Sequence, residues 1–214
     1  MQKPGDPARL APTVCLIADG SISGTRLVTF IGAATRAGVD LIQLRARHLE
    51  GGALMALART IIGAAAGTPA RLVVNDRLDV AIGAGAAGVH LRGDSFPSAR
   101  VRDVTPSGFL IGCSVHSEEE AAAADAGGCC DYLVFGSVFP SASKSADHRP
   151  AGLAVLRRVC GRVRTPVLAI GGITVATALS VREAGAAGIA AISLFRDCAD
   201  LGQTVGALKR IFDR

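Results

Sequence analysis

Ala184–Ser193 reads AGAAGIAAIS, and the same figure stands at Ala84–Arg92 as AGAAGVHLR. In each, a helix end made of small residues is stopped by glycine, and a short apolar strand follows at once. Two looser copies exist. Ala37-Gly38-Val39-Asp40 leads into Leu41–Leu44, and Ala126-Gly127-Gly128 leads, past two cysteines, into Asp131–Phe135. The copies are spaced at about twice the length of one strand-helix unit, so further units must lie between them. Val14–Ala18, Arg71–Val74, Leu110–Cys113 and Pro166–Ile170 are the apolar, β-prone runs that fill those gaps.

The intervening stretches read as helices. Arg26–Ala37 and the Ala-rich Ala53–Ala66 (ended before Pro69) come first, and a short helix precedes Val89. Ser117 and Glu120 form a capping box that opens the next helix. Leu153–Cys160, Thr174–Ala184 and Leu201–Phe212 follow. Strands alternating with helices in this way predict α/β architecture, a single-domain (β/α)8 TIM barrel over residues 13–214. A doubly wound open sheet is the structural alternative. No G-x-G-x-x-G follows the first strand, which argues against a dinucleotide-binding version of it.

Composition agrees with a barrel. Half of the 214 residues are hydrophobic but only 4% are aromatic, so the core is built from Ala, Val, Ile and Leu, as where helices pack closely on parallel strands. No apolar run approaches the about 20 residues that span a bilayer. Residues 1–12 read as a flexible arm without an apolar signal core, so a cytoplasmic location is expected. The net charge is +5, mostly from scattered arginines rather than a basic stripe, and Tyr132 is the single Tyr. Nucleic acid is therefore not expected as a partner, and small phosphorylated substrates are. The Ala-rich outer helices are compatible with a homodimer. Six cysteines without a C-x-x-C pair, mostly in apolar stretches, are expected to be reduced thiols.

Tyr132–Lys144, YLVFGSVFPSASK, shows what the strand ends carry. Its apolar half is a buried strand. After Gly136 the chain turns polar, with Ser141, Ser143 and Lys144 close together. Hydroxyls and an ammonium suit an oxygen-rich anion. In a (β/α)8 barrel such ends converge on one rim. The second strand delivers Gln43, Arg45 and Arg47, the third Asn75 and Asp76, the fourth Arg92, Asp94 and Ser95, and the fifth Ser114 and His116. The seventh delivers Gly171 and Gly172, the eighth Ile192 and Ser193.

Alternation puts Gln43, Arg45 and Arg47 on one face. Arg45, Arg47 and Lys144 can clamp a di- or polyphosphate. Asp76 is either a salt-bridge partner of these cations or a Mg²⁺ ligand. Asn75 either contacts the substrate or holds a turn. The Gly171-Gly172 turn with Ser193 matches the phosphate site common in barrels. His116 is a candidate acid/base group. His90, inside a strand, reads as packed or internally hydrogen-bonded.

With these residues assembled, the chain resembles the thiamine phosphate synthase / TenI family. The resemblance runs from about Val14 to Ser193. It rests on QLRAR at Gln43, ND at Asn75, VHL at Val89, G-x-S-x-H at Gly112, FGSVFPSASK at Phe135 and IGGI at Ile170, in this order and spacing. It implies a barrel that joins hydroxymethylpyrimidine diphosphate to thiazole phosphate with release of pyrophosphate, using Mg²⁺. Carried over, Gln43, Arg45, Arg47, Asn75 and Lys144 hold the diphosphate, and Asp76 the metal. Ser114, Ser141 and Ser143 contact pyrimidine or pyrophosphate. Gly171, Gly172, Ile192 and Ser193 hold the thiazole phosphate.

The chain departs from the synthase pattern where a second metal carboxylate is expected. Ser95 stands there, and Asp94 one residue earlier. SVHS around His116 is similar to the TenI branch, which implies as alternatives a thiazole tautomerase with His116 as proton shuttle, or a non-catalytic regulatory binder of a thiamine precursor.

Overall fold

The computed structural model describes residues 13–141 and 149–213. The expected N-terminal arm lies outside the described residues. Eight parallel strands form a closed barrel in sequence order: β1 (Thr13–Ala18), β2 (Leu41–Leu44), β3 (Arg71–Asn75), β4 (Gly88–Leu91), β5 (Leu110–Val115), β6 (Tyr132–Gly136), β7 (Val167–Ile170) and β8 (Gly188–Ala191). β1 pairs with β8, with Val14 opposite Ile189, which closes the sheet and excludes the open doubly wound alternative.

A helix follows each strand, and two follow β8: α1 (Gly24–Arg36), α2 (Gly51–Ala65), α3 (Leu78–Ala84), α4 (Ser98–Asp103), α5 (Glu118–Gly127), α6 (Gly152–Arg162), α7 (Val175–Glu183), α8 (Ser193–Arg196) and α9 (Leu201–Phe212). α4 and α8 have six and four residues, too short for a helical repeat of apolar positions to show in sequence. The glycine stops act as read. Gly85 caps α3 at φ +73°, a left-handed conformation that costs a side chain energy.

Alternation divides the core into two shells. Cys15, Ile17, Leu41, Val73, Leu110, Tyr132, Val134, Leu168 and Ala190 fill the barrel lumen. Their neighbours along each strand face outward against the helices, with residues such as Leu27, Ile31 and Ala34 on one stripe of α1. Each leucine so buried is worth about 2 kcal/mol.

Acidic side chains tie the N-terminal rim. Asp40 accepts from Val14 N–H and the Lys209 ammonium, each at 2.8 Å. Buried Asp131 accepts from Ile111 N–H at 2.8 Å and Arg102 at 2.6 Å, bonding β5 to the start of β6. Asp125 takes Thr165 N–H and hydroxyl at 2.8 and 2.7 Å.

One expectation is corrected. Cys113 and Cys130 form a disulfide, with Cα atoms 6.4 Å apart. Cys113 faces outward from β5 and Cys130 leads into the adjacent β6, a closeness that a separation of 17 residues hides in the sequence. Cys15, Cys129, Cys160 and Cys198 are free thiols. Burial pushes the Cys15 thiol far up and the Cys160 thiol up to about 11, so both stay protonated at neutral pH.

Candidate active site

A cavity of about 750 Å³ opens over the C-terminal ends of the strands. Of the residues expected to form the site, Gln43, Arg45, Arg47, Asn75, Ser114, His116, Ser141, Gly171, Ile192 and Asp94 line it. Asp76 lines a contiguous pocket of about 200 Å³ that shares Arg45, Arg47, Asn75 and Arg92. Gly172 sits behind, packed so closely that a Cβ would meet Phe139 Cβ at 2.8 Å. Ser193 opens α8 and is not part of the lining. Ser143 and Lys144 lie outside the described residues.

Cations crowd one side. Burial first, then the nearby Arg47 charge, lowers the Arg45 pKa; Asp19 opposes this and Arg92 adds to it. Arg45 and Arg47 repel each other across one pocket, with Arg92 adding to the field, so an anionic ligand is favoured there. Gln43, only 4% exposed, donates through Nε2 to Asn75 Oδ1 at 2.9 Å. The carboxamide of Asn75 is thereby fixed in orientation.

A polar chain runs from the lumen to the cavity. Tyr132 Oη, fully buried, lies 3.2 Å from His90 Nδ1, and His90 Nε2 lies 2.9 Å from Ser114 Oγ. His90 is internally hydrogen-bonded, as the strand position suggested. It also borders the cavity and holds the Ser114 hydroxyl.

Burial pushes the His90 pKa down to about 4, so the ring is neutral at pH 7. In the unfolded chain it takes a proton near pH 6.5. The unfolded state therefore binds more protons between those values, and folding stability falls as pH drops through that window. The loss attributable to His90 is about 3 kcal/mol, complete below pH 4. Urea unfolding at a series of pH values should show it, and His90→Gln should lack this component. An unchanged pH slope in the variant would contradict the assignment.

His116 is set by its surroundings. Its backbone N–H donates to Glu120 Oε2 at 2.7 Å, while Ser117 Oγ accepts from Glu120 N–H at 3.1 Å. The expected capping box is thus shifted: Glu120 reaches back to the residue before the cap. His116 Nδ1 lies 2.8 Å from the Gly136 carbonyl oxygen. A carbonyl only accepts, so Nδ1 carries the proton of this bond and the ring orientation is fixed.

Asp76 adopts φ +64° at the end of β3. Its Oδ1 accepts a short hydrogen bond from the Ser95 hydroxyl, and its Oδ2 lies 2.9 Å from Arg92 Nε. The same guanidinium reaches Asp94 at 3.1 Å through its other arm. Among the described residues no group of three or more His, Cys, Asp or Glu side chains gathers as metal ligands. Mg²⁺ needs only one or two carboxylates when substrate phosphates complete its octahedron. Asp76, already facing a cationic group, would suit that requirement, while the Asp94 side chain is 75% exposed and is held by Arg92.

Sequence reasoning left polar lining residues without a role, Asp19, Arg92 and Ser137 among them. Asp19 ends β1 as the other polar residues end their strands, a signal the strand-end rule carries. Burial alone would raise its carboxyl; hydrogen bonds from Ser21 and the Arg196 charge outweigh it and hold the group below the ordinary value. Arg92 stood at the fourth strand end but had no role until its two carboxylates were in place.

Fold and site define a (β/α)8 barrel with a cation-lined cavity at its strand ends. The chain belongs to the thiamine monophosphate synthase (TMP-TENI) family, whose model matches residues 14–195. It is 44% identical over 160 residues to the thiamine-phosphate synthase of Methanoculleus marisnigri, covering 75% of each chain. It is 38% identical over 183 residues to that of Chlorobium luteolum, covering 86% of this chain and 84% of the other. The solved thiamine phosphate pyrophosphorylase of Pyrococcus furiosus superposes with a TM-score of 0.84 at 32% identity, covering 96% of this chain and 98% of that one. Among the described residues no helix is long and apolar enough to cross a membrane.

Proposed function

We propose that this protein is a thiamine-phosphate synthase, joining hydroxymethylpyrimidine diphosphate and thiazole phosphate. The observation that carries this reading is the Arg45–Arg47–Arg92 cluster with Asp76 at one side of a cavity large enough for two small substrates. The thiazole nitrogen lone pair forms a bond to the pyrimidine methylene carbon, and the carbon–oxygen bond to the diphosphate breaks. Pyrophosphate leaves with that electron pair, and no proton need move. Catalysis is then charge stabilisation of the leaving group plus alignment of the partners.

In this scheme Arg45, Arg47, Asn75 and the sequence-predicted Lys144 hold the diphosphate, with Gln43 fixing Asn75. Ser114, oriented by His90, meets the pyrimidine together with Ser141 and the sequence-predicted Ser143. The Gly171-Gly172 turn, with Ile192 and Ser193, receives the thiazole phosphate. Asp76, joined by Asp94, would hold Mg²⁺, which when bound neutralises diphosphate charge.

Incubation with both substrates and Mg²⁺ should yield a product of the mass of thiamine phosphate. A tautomerase reading draws on His116, which borders the cavity with its Nδ1 fixed on the Gly136 carbonyl. It would replace the synthase if the protein converts thiazole carboxylate phosphate in EDTA, loses that activity in His116→Ala, and forms no joined product. Neither turnover would leave a regulatory binder.

A further inference from the structure

Arg92 follows β4 and lies between two carboxylates. Its Nε is fully enclosed yet makes no aligned hydrogen bond; Asp76 Oδ2 stands 2.9 Å away. Another nitrogen reaches Asp94 Oδ2 at 3.1 Å. The side chain is 38% exposed and borders both the large cavity and the smaller pocket, beside Arg45 and Arg47. Ser95 completes the arrangement, since its hydroxyl accepts from Arg92 N–H at 2.9 Å and donates to Asp76. The loop thus binds Asp76 from both oxygens and uses its own guanidinium to do so.

We propose that Arg92 is a placeholder cation: it neutralises Asp76 and Asp94 in the empty enzyme, and transfers to the diphosphate when a divalent cation takes the carboxylates. This rests on the diphosphate reading of the site. Three features favour transfer over a static salt bridge. An enclosed Nε–H without an aligned acceptor gains by moving to a phosphate oxygen. A guanidinium forks onto phosphate as well as onto carboxylate. Arg45 and Arg47 already draw a polyanion to the same pocket, so the distance to travel is a side-chain rotation.

The consequence is an exchange of partners. Without ligand, Arg92 competes with a metal ion for Asp76, so metal binding to the free protein is weak. With diphosphate present, the competitor becomes a ligand for the substrate, and metal and diphosphate bind cooperatively. One guanidinium thereby offsets the loss of a carboxylate at Ser95, because it contributes charge directly to the leaving group.

The test uses Mn²⁺ alone, titrated against the full chain and followed by electron paramagnetic resonance. Arg92→Gln should bind Mn²⁺ about tenfold more tightly than wild type, because the competing charge is gone. Arg92→Lys keeps a charge and should stay within about threefold of wild type. In calorimetry with pyrophosphate and Mg²⁺, Arg92→Gln should bind pyrophosphate about tenfold more weakly. Unchanged or weaker Mn²⁺ binding by Arg92→Gln, including no binding by either protein, overturns the proposal, as does unchanged pyrophosphate affinity. Pyrophosphate release by wild type is measured separately, so failure here with intact turnover leaves the synthase reading standing.

Discussion

Arg45→Ala is expected to lower kcat/KM for the pyrimidine diphosphate by about 10²- to 10³-fold. Arg45 sits at the end of β2, and its N–H donates to the Ala18 carbonyl at 2.7 Å, so its backbone is fixed by β1. Its side chain lines both pockets. A guanidinium held this way forms charge-assisted pairs that strengthen as the carbon–oxygen bond breaks and charge gathers on pyrophosphate. Losing an interaction of that kind costs about 3 to 4 kcal/mol in the transition state. The loss should appear in kcat as well as KM, since the charge on the leaving group grows during the reaction. Arg45→Lys should recover part of it, keeping the charge without the fork. Steady-state rates of the alanine variant within about twofold of wild type would remove Arg45 from the site.

Gly112→Ala is expected to destabilise the barrel by at least about 3 kcal/mol. Gly112 stands on β5 opposite His90 on β4 and Tyr132 on β6. A Cβ built there would lie 2.6 Å from His90 Nδ1 and nearer still to Tyr132 Cζ and Oη. Tyr132 is fully buried among lumen residues, so its ring has no solvent side to move toward. Accommodation requires breaking the Tyr132–His90 contact, which leaves polar atoms buried without partners. The melting temperature should fall by about 10 °C, at 2–4 °C per kcal/mol for a chain of about this size. Because Ser114 leans on the same histidine, residual activity should fall as well. A variant that melts within about 2 °C of wild type would contradict the packing described here.

Why the barrel was readable is clear from its glycines. A glycine-stopped helix end followed directly by an apolar run is a local pattern, and repeating it around a closed sheet leaves copies such as 84–92 and 184–193. The site was readable for a related reason. In a parallel barrel every strand points its C-terminal end at one rim, so polar residues such as Arg45, Asn75, Ser114 and Gly171 converge without any contact being known. What the chain order hides is pairing between loops. The Cys113–Cys130 disulfide depends on an outward-facing position meeting a neighbouring turn. The Arg92 bridge depends on the left-handed turn at Asp76 bringing its carboxylate to the loop after β4. Asp94 shows the same limit: as a residue it suits a metal, but its carboxylate is 75% exposed and turned to Arg92. The lumen relay from Tyr132 through His90 to Ser114 needs barrel register, which places Gly112 between the two rings and makes room for them.

The most direct measurement is the rate of pyrophosphate release with both substrates, with each alone, and with Mg²⁺ or EDTA. A synthase built on this rim releases one pyrophosphate per joined product, only when thiazole phosphate and pyrimidine diphosphate are both present with Mg²⁺. Release that ignores thiazole phosphate, or none from protein that binds both substrates, would contradict it.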